Sequence, residues 1–229
     1  MPSRRRRLFE AAVLSDLVSF SCTGLNVMPN LRNFILMTNV AWALASALAQ
    51  TATPPSIDPA LLTKARSGDT AAQIEIAGQY TNAAGALQQD APKLAAADYK
   101  EAAEWYRKAA EQGSIPGEMH LAACYRDGTG VARDMAQAAE WYRKAAEQGD
   151  VTAQATLGLL YSLGQGLPQS YVEAYYWLDL AAAVKGPKQD QYIANRQMVG
   201  THITTDELAE VKDRVAEWLA VHPRPAGTE

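Results

Sequence analysis

The stretch AAEWYRKAAEQG fills residues 102–113 and returns without a change at residues 138–149. An active site needs its nucleophile or base once, whereas a structural unit that stacks on its own copies is duplicated whole. In the second copy Ala138, Trp141, Tyr142, Ala145 and Ala146 fall at i, i+3, i+4, i+7 and i+8, one apolar stripe on an α-helix. Glu140 with Lys144, and Arg143 with Glu147, are four apart on the opposite face and predict a solvated surface. Trp105, Trp141 and Trp177 recur at the same spacing and are expected to be shared structural anchors. Asp98, Asp134 and Ser170 stand just before these helices, where a side-chain oxygen can accept from free backbone N–H groups. Gly113 and Gly149 follow them as left-handed stops.

A second helix precedes each of these. Aligned on their tyrosines, the copies read AAQIEIAGQY (71–80), PGEMHLAACY (116–125) and TAQATLGLLY (152–161). Ile76, Leu121 and Leu157 coincide, then Ala77, Ala122 and Gly158, then Tyr80, Tyr125 and Tyr161. A large residue followed by a small one suits closely crossing helices, because the small one admits the neighbour's backbone. Gly128-x-Gly130 and Gly164-x-Gly166 form the turn into the second helix. In the first copy Ala83 replaces the first turn glycine, and extra residues including AGALQQDAPKLA are expected to form a longer loop. Each unit is thus an αα-hairpin that buries its apolar side only against a neighbour.

The run A-x-x-x-L-G-x-x-Y-x-x-G-x-G-V/L, closing with A-x-x-W-Y-x-K-A-A-E-Q-G, resembles the SLR (Sel-one-like repeat) family, relatives of the tetratricopeptide repeats. The resemblance spans roughly residues 60–186 and departs in the third copy at Asp179 to Ala183. It implies an all-α fold: a short right-handed αα-superhelix, or solenoid, of three hairpins with a C-terminal helical cap. It also implies an adaptor of the bacterial envelope or secreted space that binds a protein or peptide on its concave face, with no chemistry of its own. β-Lactam hydrolysis, proposed for disulfide-rich members, and cell-wall glycan binding are the alternatives.

The expected organisation follows. Residues 1–27 read as an upstream extension with a mis-assigned start, because Met28 with MPNLRN makes a suitable leader. Residues 28–49 read as a signal peptide ending in Ala47-Leu48-Ala49, and 50–58 as a linker. A retained anchor helix, or lipidation at Cys22, are the rival readings of this region. Repeats occupy 59–186, with units at 69–113, 114–149 and 150–186 and a half-unit before them. A helical cap follows at 187–222, opening its second helix with a Thr204–Glu207 capping box, and a tail at 223–229.

Little in the chain points to catalysis. The three histidines are scattered, no phosphate-binding glycine loop or metal-binding pair is present, and Cys124 has no basic partner at a fixed spacing. A net charge of −4 argues against nucleic acid as a partner. No cofactor or metal is expected. Candidate partner-contacting residues are those that vary while their neighbours hold: Glu75, His120 and Thr156, with Gln79, Cys124 and Leu160. Tyr175 and Tyr176, which replace Ala139 and Glu140 of the preceding copy, either lie under the cap or form an aromatic contact patch.

Overall fold

The computed structural model describes residues 55–222. The leader, its cleavage site and the tail therefore lie outside the described residues. Nine α-helices and no strand occur among these: α1 (Pro59–Arg66), α2 (Thr70–Leu87), α3 (Pro92–Glu111), α4 (Ile115–Asp127), α5 (Met135–Glu147), α6 (Val151–Leu163), α7 (Tyr171–Ala182), α8 (Gln189–Gly200) and α9 (Thr205–Val221). Consecutive helices pack on one another from α1 to α8, giving an α-solenoid of three hairpins, α2–α3, α4–α5 and α6–α7. The half-unit α1 precedes them.

Local signals set most of the helix ends. Asp58, Asp69, Asp134, Asp150 and Ser170 each accept from backbone N–H groups in the first turn of the helix they precede. Thr204 and Glu207 bond reciprocally as a full capping box. Gly68, Gly113 and Gly149 all have positive φ at the ends of α1, α3 and α5. Gly130 and Gly166 carry the tightest constraint. A Cβ there would stand 2.1 Å from the carbonyl oxygens of Tyr99 and Met135, so each turn presses directly on the second helix of the preceding unit. Gly158 shows why a small residue follows Leu157: its Cβ would lie 3.0 Å from the Ala174 oxygen of the facing helix.

Two expectations are corrected. The extra residues of the first copy do not form a loop. They lengthen both helices, to 18 residues in α2 and 20 in α3 against 13 each in α4 and α5. With Ala83 where the later copies have a left-handed glycine, nothing stops α2, and Ala84, Leu87 and Ala95 form a small core of their own between the extended ends. Asp98 consequently is not the N-cap of α3, a position that Ala91 holds. Asp98 lies inside α3, almost wholly buried, while Pro92 opens the helix.

The cap also differs from a fourth hairpin. α8 packs on α7 and touches α6, closing the open end of the stack. α9 folds back onto α7, with Val211 and Val215 buried against it. Its Arg214 donates to both carboxylate oxygens of Glu173, at 2.9 and 3.2 Å, and lies 4.5 Å from the Tyr176 ring centre. The tip of the Trp218 indole reaches Gly149, at the end of α5.

Candidate functional site

The first helices α2, α4 and α6 present a wall of residues that stacking does not consume. Glu75 and His120 are exposed on it, and Thr156 and Gln79 are half-buried. Thr156 spends its hydroxyl on the Thr152 carbonyl. The His120 ring stacks on the buried Tyr106 at 4.5 Å and 19°, and burial lowers its pKa, favouring the neutral imidazole. Two residues that the repeat comparison missed, Leu159 and Leu163, are 38% and 63% exposed on α6. The wall thus changes from polar on α2 (Glu75, Gln79) to apolar on α6.

Four of the candidate contacts are corrected by burial. Cys124 and Leu160 point into the stack, at 8% and 5% exposure. Desolvation pushes the Cys124 thiol up to about 11, and the nearby Asp127 carboxylate adds to the shift. The thiol is therefore protonated and unreactive near neutral pH. Tyr175 and Tyr176 are buried in the same cluster as Val199 of α8 and Val211 of α9. They are the floor of the cap rather than a contact patch, which is the first of the two readings the sequence left open.

The residues assigned to structure behave in graded fashion. Trp105 and Trp177 are buried, whereas Trp141 is half-buried. Lys108 sits 3.9 Å above the Trp105 ring and Lys144 3.7 Å above that of Trp141, so these lysines cover indoles instead of pairing with glutamates. Tyr80, Tyr125 and Tyr161 are all half-buried. Arg107 donates to the Tyr125 hydroxyl and Arg143 to that of Tyr161, both at 2.9 Å, tying each second helix to the first helix of the next unit.

A buried polar column escaped the sequence reading, although its register was there to see. Gln73 and Gln154 each donate to a carbonyl eight residues back, Ala65 at 2.9 Å and Ala146 at 3.2 Å. Gln73 also accepts from Gln112, and the equivalent Glu118 accepts from Gln148. In the third unit Val184 stands where Gln148 would be, and Oε1 of Gln154 has no partner among the described residues. Desolvation raises the Glu118 pKa, opposed by Lys144 and by the Gln148 hydrogen bond and reinforced by Glu147.

Among the described residues no group of His, Cys, Asp or Glu could hold a metal ion, and no helix is long and apolar enough to cross a membrane. The arrangement is that of a helical-repeat scaffold: stacked hairpins, buried small residues at the crossings and an unspent wall. The Sel1 repeat profile matches residues 71–114, 115–150 and 151–183, and the chain belongs to the Sel1 repeat family. Among solved structures it is similar to c5321, a protective antigen present in uropathogenic Escherichia coli strains and displaying an SLR fold. That match has 27% identity and a TM-score of 0.50, covering 70% of this chain and 40% of the other. It is similar too to a Sel1 repeat protein from Oxalobacter formigenes, with 32% identity and a TM-score of 0.48, covering 56% of this chain and 91% of that one. The chain thus spans less than half of the first and nearly all of the second. No curated protein matches it.

Proposed function

We propose that this protein is a non-catalytic scaffold that binds a protein or peptide partner along the concave wall formed by α2, α4 and α6. The repeats suggest a protein-interaction scaffold in general, and one observation supports this particular face. The hairpins use Leu121, Leu157, Ala122 and Gly158 for stacking, whereas Glu75, His120 and Thr156, then Gly78, Ala123 and Leu159, then Asn82, Asp127 and Leu163 differ from unit to unit at matching positions of the same helices. Glu75, His120, Thr156, Leu159 and Leu163 belong to that variable set. A preformed wall of this kind lowers the ordering cost of binding. Export to the envelope or secreted space is part of the proposal. It rests on the basic leader, the apolar run Phe34 to Ala49 and the Ala47-Leu48-Ala49 site.

Crosslinking in the intact envelope, capture and mass spectrometry test the binding. Recovery of one partner with wild type, and its loss with Leu159→Glu and Leu163→Glu together, supports the wall. Undiminished recovery with that double variant rules it out. Amino-terminal sequencing of exported protein tests the leader, with Gln50 expected as the first residue. Turnover of a chromogenic β-lactam by the purified protein would overturn the non-catalytic part.

A further inference from the structure

Two shallow clefts of about 440 and 420 Å³ meet at Arg133. The second lies where α3 faces the α4–α5 connection, apart from the first-helix wall. Its lining comprises Lys100, Glu104 and Arg107 of α3, the Tyr125 side chain and the irregular segment from Gly130 to Asp134. Asp134 is already committed, accepting from the N–H groups of Ala136 and Gln137. Arg107 is held against the wall by the Tyr125 hydroxyl. Nε of Arg133 donates to the Arg126 carbonyl at 3.0 Å, which fixes the root of its guanidinium and leaves the two terminal nitrogens without a partner among the described residues. Lys100 is exposed and makes no ion pair or hydrogen bond among them. The backbone N–H groups of Val131, Ala132 and Arg133 likewise make none. The cleft is rich in donors and poor in acceptors.

The next junction along the stack is an internal control. Glu140, Arg143, Tyr161 and Gly166 repeat Glu104, Arg107, Tyr125 and Gly130. Arg143 again bonds the tyrosine, and Gln169 donates to the Ser162 carbonyl as Arg133 does to that of Arg126. Both cations are replaced there, Ala136 standing for Lys100 and Gln169 for Arg133, while Leu167, Pro168 and Ser170 stand for Val131, Ala132 and Asp134. Stacking therefore needs neither cation, since the same geometry forms without them. Of the charged lining residues particular to this junction, Lys100 and Arg133 are positive and Asp134 is negative, on a chain whose net charge is −4.

We propose that the cleft between α3 and the α4–α5 connection binds an acidic segment of a partner polypeptide. Its carboxylates meet Lys100 and the terminal nitrogens of Arg133, and its backbone carbonyls accept from the N–H groups of residues 131–133. The planar guanidinium suits a carboxylate bidentately, and the lysine adds a point charge. Glu104, the remaining oxygen of Asp134 and the Asp127 carboxylate, which feels the Arg133 charge, oppose it and limit affinity for acidic segments.

Fluorescence anisotropy with the full chain and the labelled peptide Gly-Glu-Glu-Gly-Glu-Glu-Gly tests this, against the same peptide with Gln in place of Glu. The acidic peptide is expected to bind and the Gln peptide not, with affinity falling as salt is added. Lys100→Glu with Arg133→Glu is expected to weaken binding about tenfold or more. Both side chains are exposed, so an unchanged melting temperature separates lost binding from lost folding. Glu104→Gln is expected to tighten it. Ala136→Lys with Gln169→Arg writes the cations into the next junction and is expected to add a second, weaker site by calorimetry, because Pro168 there lacks the N–H that Ala132 offers. Equal affinity for the two peptides, no effect of the charge reversal, or preference for a single-stranded oligonucleotide would overturn the proposal.

Discussion

α5 and α7 occupy the same place in successive hairpins, yet α5 meets solvent along the face that α7 buries. Glu140, Lys144 and Glu147 are exposed on α5. The counterparts of Glu140 and Lys144 on α7 are Tyr176, which is buried beneath Arg214, and Leu180, which is fully buried, whereas Ala183, in register with Glu147, lies just past the helix and is exposed. Arg143, which ties α5 to the next hairpin, becomes Asp179, which pairs with Arg196 of α8. The contrast shows that stacking within a solenoid constrains one side of a helix, while the other side answers to whatever lies over it. In α5 that is water, and in α7 it is the cap.

The comparison breaks most sharply if the residues are exchanged. Leu180→Lys puts the α5 residue into α7 and buries an unpaired charge, with an expected loss of about 3–5 kcal/mol by urea unfolding. The reverse change, Lys144→Leu, loses a contact with the Trp141 ring and an attraction to Glu118, and is expected to cost about 0.5–1 kcal/mol. Equal costs would mean that α9 does not cover α7 in solution. Trp177→Ala is expected to cost about 3 kcal/mol. Trp141→Ala, at a half-buried site, should cost about 1–2 kcal/mol by the same measurement.

A smaller effect of opposite sign sharpens the picture. Val184→Gln restores the donor that the third unit lacks and is expected to stabilise by about 1 kcal/mol, read as a raised unfolding midpoint. Gln154→Leu should then abolish that gain. The smallest effect concerns pH. Burial raises the folded pKa of Glu118 above its ordinary 4.5, so its neutral form is favoured by folding. That contribution is complete below the ordinary value and fades as pH rises through the folded one. Measured from about pH 4 to about pH 8, wild type should lose stability relative to Glu118→Gln as pH rises, a difference that removes the opposite contribution of His120, whose lowered pKa favours folding as pH rises.

Some of the molecule was legible before any coordinates. The 36-residue recurrence, the 3.6-residue apolar period and the Asp134, Ser170 and Thr204 caps are local signals, and each stands where the sequence put it. Asp98 misled because its register with Asp134 is true but the helix around it is longer, a consequence of Ala83 and Pro92 rather than of Asp98 itself. For the candidate contacts, variation between copies located Glu75 and His120 on the surface. It could not separate them from Cys124 and Leu160, one turn further along the same helices. The cations Lys100 and Arg133 lie 33 residues apart in sequence and share a cleft only because a turn of one hairpin presses on the helix of another.

The sequence by itself determined the repeating αα-hairpin, where most of its helices begin and stop, and which side chains cross between them. Those are decided within a few residues by periodicity, capping oxygens and glycines. Only the tertiary structure decided that α9 doubles back over α7, that Tyr175 and Tyr176 lie beneath the cap, and that a donor-rich cleft opens beside α3. Such outcomes depend on packing between segments distant in the chain, where burial is shared and no local pattern records which partner will supply it.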